Sequence, residues 1–268
     1  MNTMTRTGTT PAPVSAWRQA LRPYGAELVA ELRRAWRTPA FAVPSLLFPV
    51  LFYLLFGVLL GRGHAPLYLL ATYCVFGAMA PALFGFGVQL ALDREGGLLT
   101  LKRALPMPAA APLLARLAMA VMFALLVAAL LIGVACALGG VQLQAVQMLQ
   151  LQAVQMLQLL AVAGLAALPL GAIGLLIGSH VSASAAPAMV NLVYLPLALL
   201  SGLWLPLSAL PKVFSMMAPL WPTWHLAQLA LPVVGLPSVG SMAGHLLVLL
   251  AVTVVALLLA RRRLRRIG

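Results

Sequence analysis

The side chains able to do acid–base, nucleophilic or metal chemistry are few in this sequence. The carboxylates are Glu27, Glu31, Asp93 and Glu95, and the histidines are His64, His180, His225 and His245. No Ser-His-Asp set and no pair of carboxylates is spaced for general acid–base work. The histidines are scattered, without ligand spacing or a neighbouring carboxylate, so no metal site is expected. Cys74 and Cys136 stand alone inside apolar runs and read as small packing residues. Neither Lys102 nor Lys212 sits in a GxxxxGK[ST] loop, so no ATP site is expected in this chain. All four carboxylates fall outside the apolar runs, which argues against coupling to protons or sodium ions. This pattern predicts no catalysis here, and any energy used must come from another chain.

Two charged segments and one aromatic cluster remain as candidate sites. Residues 17–37 read as an amphipathic interfacial helix in which Glu27 and Glu31 lie one turn apart and Arg33, Arg34 and Arg37 follow. Such a helix lies along the membrane surface with its arginines near anionic headgroups, and it offers a face to a cytoplasmic partner. The loop 93–115 carries Asp93, Arg94, Glu95, Lys102 and Arg103 around a Gly-Gly pair and a short apolar helix. It is longer than a helical hairpin needs, which points to docking. Trp204, Trp221 and Trp224 gather near a proline-rich stretch. They fit either an aromatic belt or a gate on a path for a lipid-like substrate. Asn191 and Ser201, with Gln89, are the few polar groups available to such a path.

The elements that must position these residues are membrane spans. The chain is 63% hydrophobic and only 8% charged, with a mean hydropathy of +1.04. Soluble domains carry about 25% charged residues, so this composition excludes a water-facing globule. The net charge of +13 could suggest a nucleic-acid partner. The basic residues flank apolar runs, however, and lack interleaved aromatics for base stacking, so no nucleic acid is expected.

A span needs about 20 apolar residues. Six are predicted, near 40–60, 66–91, 116–138, 157–178, 187–206 and 242–260. From Leu117 to Pro211 the 95 residues include no Lys, Arg, Asp or Glu. Breakers at Gly139-Gly140 and 178–186 divide this stretch. Residues 213–241 carry Pro219, Pro222, Pro232 and Pro237, which disfavour a straight crossing because lipid cannot replace a lost backbone donor. A re-entrant extracellular element before the last span fits better. With six spans and an N-terminus inside, fifteen basic residues, Arg116 among them, face the cytoplasm and only Arg62 and Lys212 face out. That asymmetry places both termini in the cytoplasm. Residues 1–16 read as a disordered tail, the first span as a retained signal anchor, and 261–268 as a basic tail. The tandem octad LQAVQMLQ at 143–158 advances about 80° per copy and builds no fixed stripe. It reads as an expanded extracellular connection extending the third or fourth helix.

The fold class is therefore all-α, a polytopic membrane protein. On residues alone a transporter subunit and a non-transporting scaffold or sensor partner both fit. A resemblance separates them. ELRRAWRTPAFAVPSLLFPVLFYLLFG (31–57), DREGGLLTLKRALPMP (93–108) and LSGLWLPLSALPKVFSMMAPLWPTWHLAQLAL (200–231) resemble, in order, the entry helix, the first cytoplasmic loop and the outer lip of permease subunits of type-2 ATP-binding-cassette exporters. Gly96-Gly97 departs from the family's single Gly-Thr. The resemblance implies a permease of the bacterial inner membrane that moves a drug, lipid or other amphipathic molecule outward. It implies a homodimer, or a heterodimer with a related permease, with a cytoplasmic ATPase subunit holding ATP and Mg. Docking would fall to Asp93, Arg94, Glu95, Lys102, Arg103, Glu27, Glu31 and Arg34, and the path or gate to Trp204, Trp221, Trp224, Asn191 and Ser201.

Overall fold

A computed structural model describes residues 16–61, 65–104, 110–138 and 148–267, with Gly63 and Pro108. Every regular element among them is helical. Helix α1 (Ala16–Trp36) meets α2 (Pro39–Phe52) at an elbow over Thr38, and α2 continues as a π-helical stretch to Leu59. Then follow α3 (Ala65–Glu95), the short α4 (Leu98–Ala104), α5 (Ala111–Leu138), α6 (Met148–His180) and α7 (Ala186–Leu200). The short α8 (Lys212–Met217) and α9 (Pro222–Ala230) precede α10 (Met242–Ile267).

Among the described residues, five helices are long and apolar enough to cross a membrane: Pro39–Leu59, Ala65–Glu95, Ala111–Leu138, Ala153–His180 and Met242–Arg266. The expected span at 187–206 is instead α7, with 15 residues, which at 1.5 Å per residue falls short of a core about 30 Å thick. The chain leaves α7 through Ser201 and turns at Gly202, whose φ is +79°. Hydropathy runs on through 206, but the helix does not. Residues 212–230 form α8 and α9 instead of one span, as the prolines require. All nine residues of α9 are buried.

The second octad lies in the first turns of α6, so it extends the fourth of the expected spans, one of the two helices expected to take it. A helix pairs its interior backbone groups whatever its side chains, so a polar sequence does not by itself break it. Residues 143–147 of the first copy fall outside the described residues, as do 1–15, Arg62 and His64.

Helix α3 is the central post, packed on α2, α5, α6, α7 and α9. Lipid supplies no hydrophobic force between helices, so close backbone approach must hold them. Residues 174–178 read GLLIG, and here α6 meets α3 backbone to backbone. A Cβ on Gly178 would lie 2.2 Å from the Gly87 carbonyl oxygen, and one on Gly174 would lie 2.8 Å from that of Leu83. By contrast, α2 and α10 expose rows of apolar side chains, among them Leu47, Phe48, Leu247 and Leu250.

Candidate functional site

At the end of the bundle where α3 finishes, four charged side chains from three helices converge. Arg116 of α5 is only 2% exposed. Its Nε donates to Glu31 Oε1 of α1 at 3.3 Å, and its Nη2 donates to Asp93 Oδ2 of α3. Arg34 closes the set, with Nη1 3.4 Å from Asp93 Oδ1 and 3.7 Å from Glu31 Oε1. Two guanidinium groups thus balance two carboxylates. A buried charge without such partners is strongly unfavourable, so the four side chains act as one unit. They key α1 against α3 and α5.

Beside this junction, Lys102 of α4 pairs with Glu27 of α1. Leu99 packs against the core, while Thr100 and Leu101 face outward, Leu101 at 58% exposure. Gly97 takes φ +71°, the left-handed conformation in which α3 ends and the chain turns into α4. Short α4 therefore presents an apolar tip and is tethered behind by one ion pair.

Arg94 has a different task. Its guanidinium donates to the carbonyls of Gly178 (3.1 Å), Ser179 (2.7 Å) and Val181 (2.5 Å). These lie where α6 ends, and a cation there satisfies carbonyls that have no helical partner. Glu95 is exposed and has no ion-pair partner among the described residues. The Arg103 side chain lies outside the described residues.

Glu27, Glu31, Arg34, Asp93 and Lys102, expected as docking charges, are thus brought together, but they face one another. Arg116, expected only as one of fifteen basic residues facing the cytoplasm, is the centre of the set. Its signal was available: it is the last charge before 95 uncharged residues and sits on an otherwise apolar helix, where a buried cation must have partners. Asp93, expected just beyond the second span, lies buried inside the last turn of α3.

The tryptophans are not one cluster. Trp204 packs between Phe52 (6.2 Å) and Phe76 (5.9 Å), and its carbonyl accepts from Tyr73 Oη. Trp224 stacks edge-on against His225 (5.0 Å) and His245 (5.5 Å) beside α10. Trp221 is half-buried, and its indole nitrogen, like that of Trp204, has no hydrogen-bond partner among the described residues. Ser201 is buried and donates to the Leu197 carbonyl, as does Thr223 at 2.9 Å. Asn191 does line a space: with Pro44, Phe48, Phe84 and Tyr194 it borders an open groove of about 1120 Å³ between α2, α3 and α7.

The sequence model described as "ABC-2 type transporter" matches residues 24–234, from within α1 to the end of the α9 region. The chain belongs to the ABC-2 type transporter family. A curated relative, "Putative transport permease YvfS" of Bacillus subtilis (strain 168), is 24% identical over 203 residues, which cover 74% of this chain and 79% of that protein. The family match over 24–234 takes in the charged junction, α4 and the Asn191 groove of this ABC-2 family member. Permeases of this family are not themselves enzymes and work with an ATP-binding subunit. Multiple apolar helices and the family together make this ABC-2 chain a multi-pass membrane protein.

Proposed function

We propose that this chain is the membrane-spanning subunit of an ABC exporter of the bacterial inner membrane. It moves a drug-like, lipid or other amphipathic substrate outward, driven by a separate cytoplasmic ATPase that holds ATP and Mg. The chain crosses six times, with α7 and the buried turn at 201–203 completing the fifth crossing and both termini in the cytoplasm. The segment 207–235 enters and leaves the membrane from outside. A second permease, identical or related, completes the transporter across the exposed faces.

One observation carries this reading. The exposed short helix α4 is tied by Lys102–Glu27 to α1, and α1 is keyed into the bundle interior by the Arg116 junction. A push on Leu101 by the ATPase therefore reaches α1, then α2 across the Thr38 elbow. Helix α2 forms one wall of the Asn191 groove, so its displacement changes the width of a space suited to an amphipathic guest. Of the predicted gate residues, Asn191 is best placed to touch substrate, and Trp204 closes the far end of the same wall through Phe52.

Co-purification with a Walker-A ATPase encoded beside the gene tests the docking half. The wild-type chain should retain the ATPase through detergent extraction, and Leu101→Asp should lose it while keeping its own melting temperature. Equal retention by the variant, or no retention by wild type, would contradict the reading.

A further inference from the structure

Under the Thr38 elbow, α1, α2, α3 and α5 leave a cavity of about 610 Å³ that is open on one side. Its chemistry changes along its length. Toward Asp93 the wall is polar, with Arg34, Gln89 and the buried Glu31. Further along α3 it is apolar, with Val88 and Phe84, joined by Phe41 of α2 and Met119 of α5.

Arg34 has donors to spare at the polar end. A guanidinium carries five N–H donors in a fixed fork, and here only Nη1 is engaged, with Asp93 and Glu31. Its Nε and Nη2 have no partner among the described residues. Within the junction, Arg34 and Arg116 already balance Glu31 and Asp93. Arg33 and Arg37 are therefore surplus positive charge, both exposed and neither in an ion pair among the described residues. They lie four residues apart on α1, where like charges repel. Arg37 also lies one turn from Arg34. An anion at this mouth relieves the repulsion and fills the unused part of the Arg34 fork.

A soluble anion would use the arginines but not the cavity behind them. An enclosed apolar cavity of even about 150 Å³ stays dry and takes up a hydrocarbon guest, so the apolar part here favours a chain over water. Trp36 is 56% exposed and packs on Phe123 at 6.0 Å. An exposed tryptophan beside the arginines, where α1 meets the first span, marks the headgroup level. Phe41, Phe84 and Met119 belong to membrane-crossing helices and lie at the depth of acyl chains. Head and tail chemistry are thus stacked in the order in which a lipid presents them.

We propose that this cavity binds an anionic phospholipid of the cytoplasmic leaflet. Arg34 and Arg37 hold the phosphate, and an acyl chain lies along Phe84 and Met119. The choice of leaflet rests on the orientation proposed above. A lipid seated here is wedged between the elbow and α3, on the path by which α1 moves α2, and its presence stiffens that path.

The test is the melting of the purified full-length chain in a non-ionic detergent, titrated with phosphatidylglycerol, with phosphatidylcholine of the same chains, or with inorganic phosphate. No ATPase takes part, so the docking test above and this one fail independently. Phosphatidylglycerol should raise the melting temperature at concentrations about tenfold below those of phosphatidylcholine, the scale of a charge-assisted hydrogen bond. Inorganic phosphate should have no effect. R34Q should erase the preference for phosphatidylglycerol. V88F keeps every arginine but narrows the apolar part, and it should weaken the phosphatidylglycerol response similarly. R262Q/R263Q, in the exposed tail of α10, should respond as wild type does. Equal responses to the two lipids would overturn the site, as would a phosphate response matching that of phosphatidylglycerol. So would an unchanged preference in R34Q, or a tail variant as impaired as R34Q. Should R34Q fail to fold, V88F decides: an undiminished response there places the lipid on surface arginines alone and overturns the proposal.

Discussion

Arg116 joins three helices, α1, α3 and α5, through two carboxylates. A guanidinium at 2% exposure is tolerable only because Glu31 and Asp93 both accept from it. Removing it as Arg116→Ala leaves two carboxylates with only Arg34, itself 37% exposed, and should destabilise the fold by about 3–5 kcal/mol. Arg116→Lys should recover part of this, since an ammonium cannot span both carboxylates with the same fork. Glu95→Gln, at an exposed position without an ion pair among the described residues, should stay within about 0.5 kcal/mol. Melting of the three purified variants checks the order. The charges of this junction were all legible in the sequence, but their pairing was not. Glu31 and Arg116 are 85 positions apart, and nothing local to either residue states which helix will lie beside it. The same holds for His225 and His245, which meet only once α9 folds back against α10.

Among the elements, the α3–α6 crossing is the most sharply specified contact. Gly178→Ala would put a methyl group 2.2 Å from a backbone oxygen that cannot rotate away, so the helices must separate. A loss of at least about 1–3 kcal/mol is expected from such overpacking. Gly164→Ala, in the same helix, is the matched control. Its Cβ would meet Leu125 and Val121 at an ordinary 3.7 Å, and the gain in helix propensity makes it neutral or stabilising by up to about 1 kcal/mol. Melting that showed the two variants equally stable would remove the backbone-contact account of this crossing. Helix existence was largely readable from hydropathy, and the proline-studded stretch was correctly denied a straight span. One helix end was not readable. The stop of α7 depends on the turn through Gly202, which hydropathy does not register. The glutamine-rich start of α6 was readable as a helix extension, though not which of two helices it would extend.

For the whole molecule, the family and the apolar bundle define a multi-pass transport permease, and the two ends divide the work. One end carries the paired charges and the exposed tip of α4, and the other carries the aromatic and histidine contacts around α9. The central claim is that force applied at α4 passes through Lys102–Glu27 into α1 and on to the groove. Charge reversal tests it directly in vesicles holding the chain with its ATPase. E27K and K102E should each lower ATP-driven export about tenfold, the scale expected when a charge-assisted contact of about 1.5–3 kcal/mol is replaced by repulsion, and the E27K/K102E double variant should recover most of it. Export unchanged in either single variant, or a double variant no better than the singles, would contradict the account.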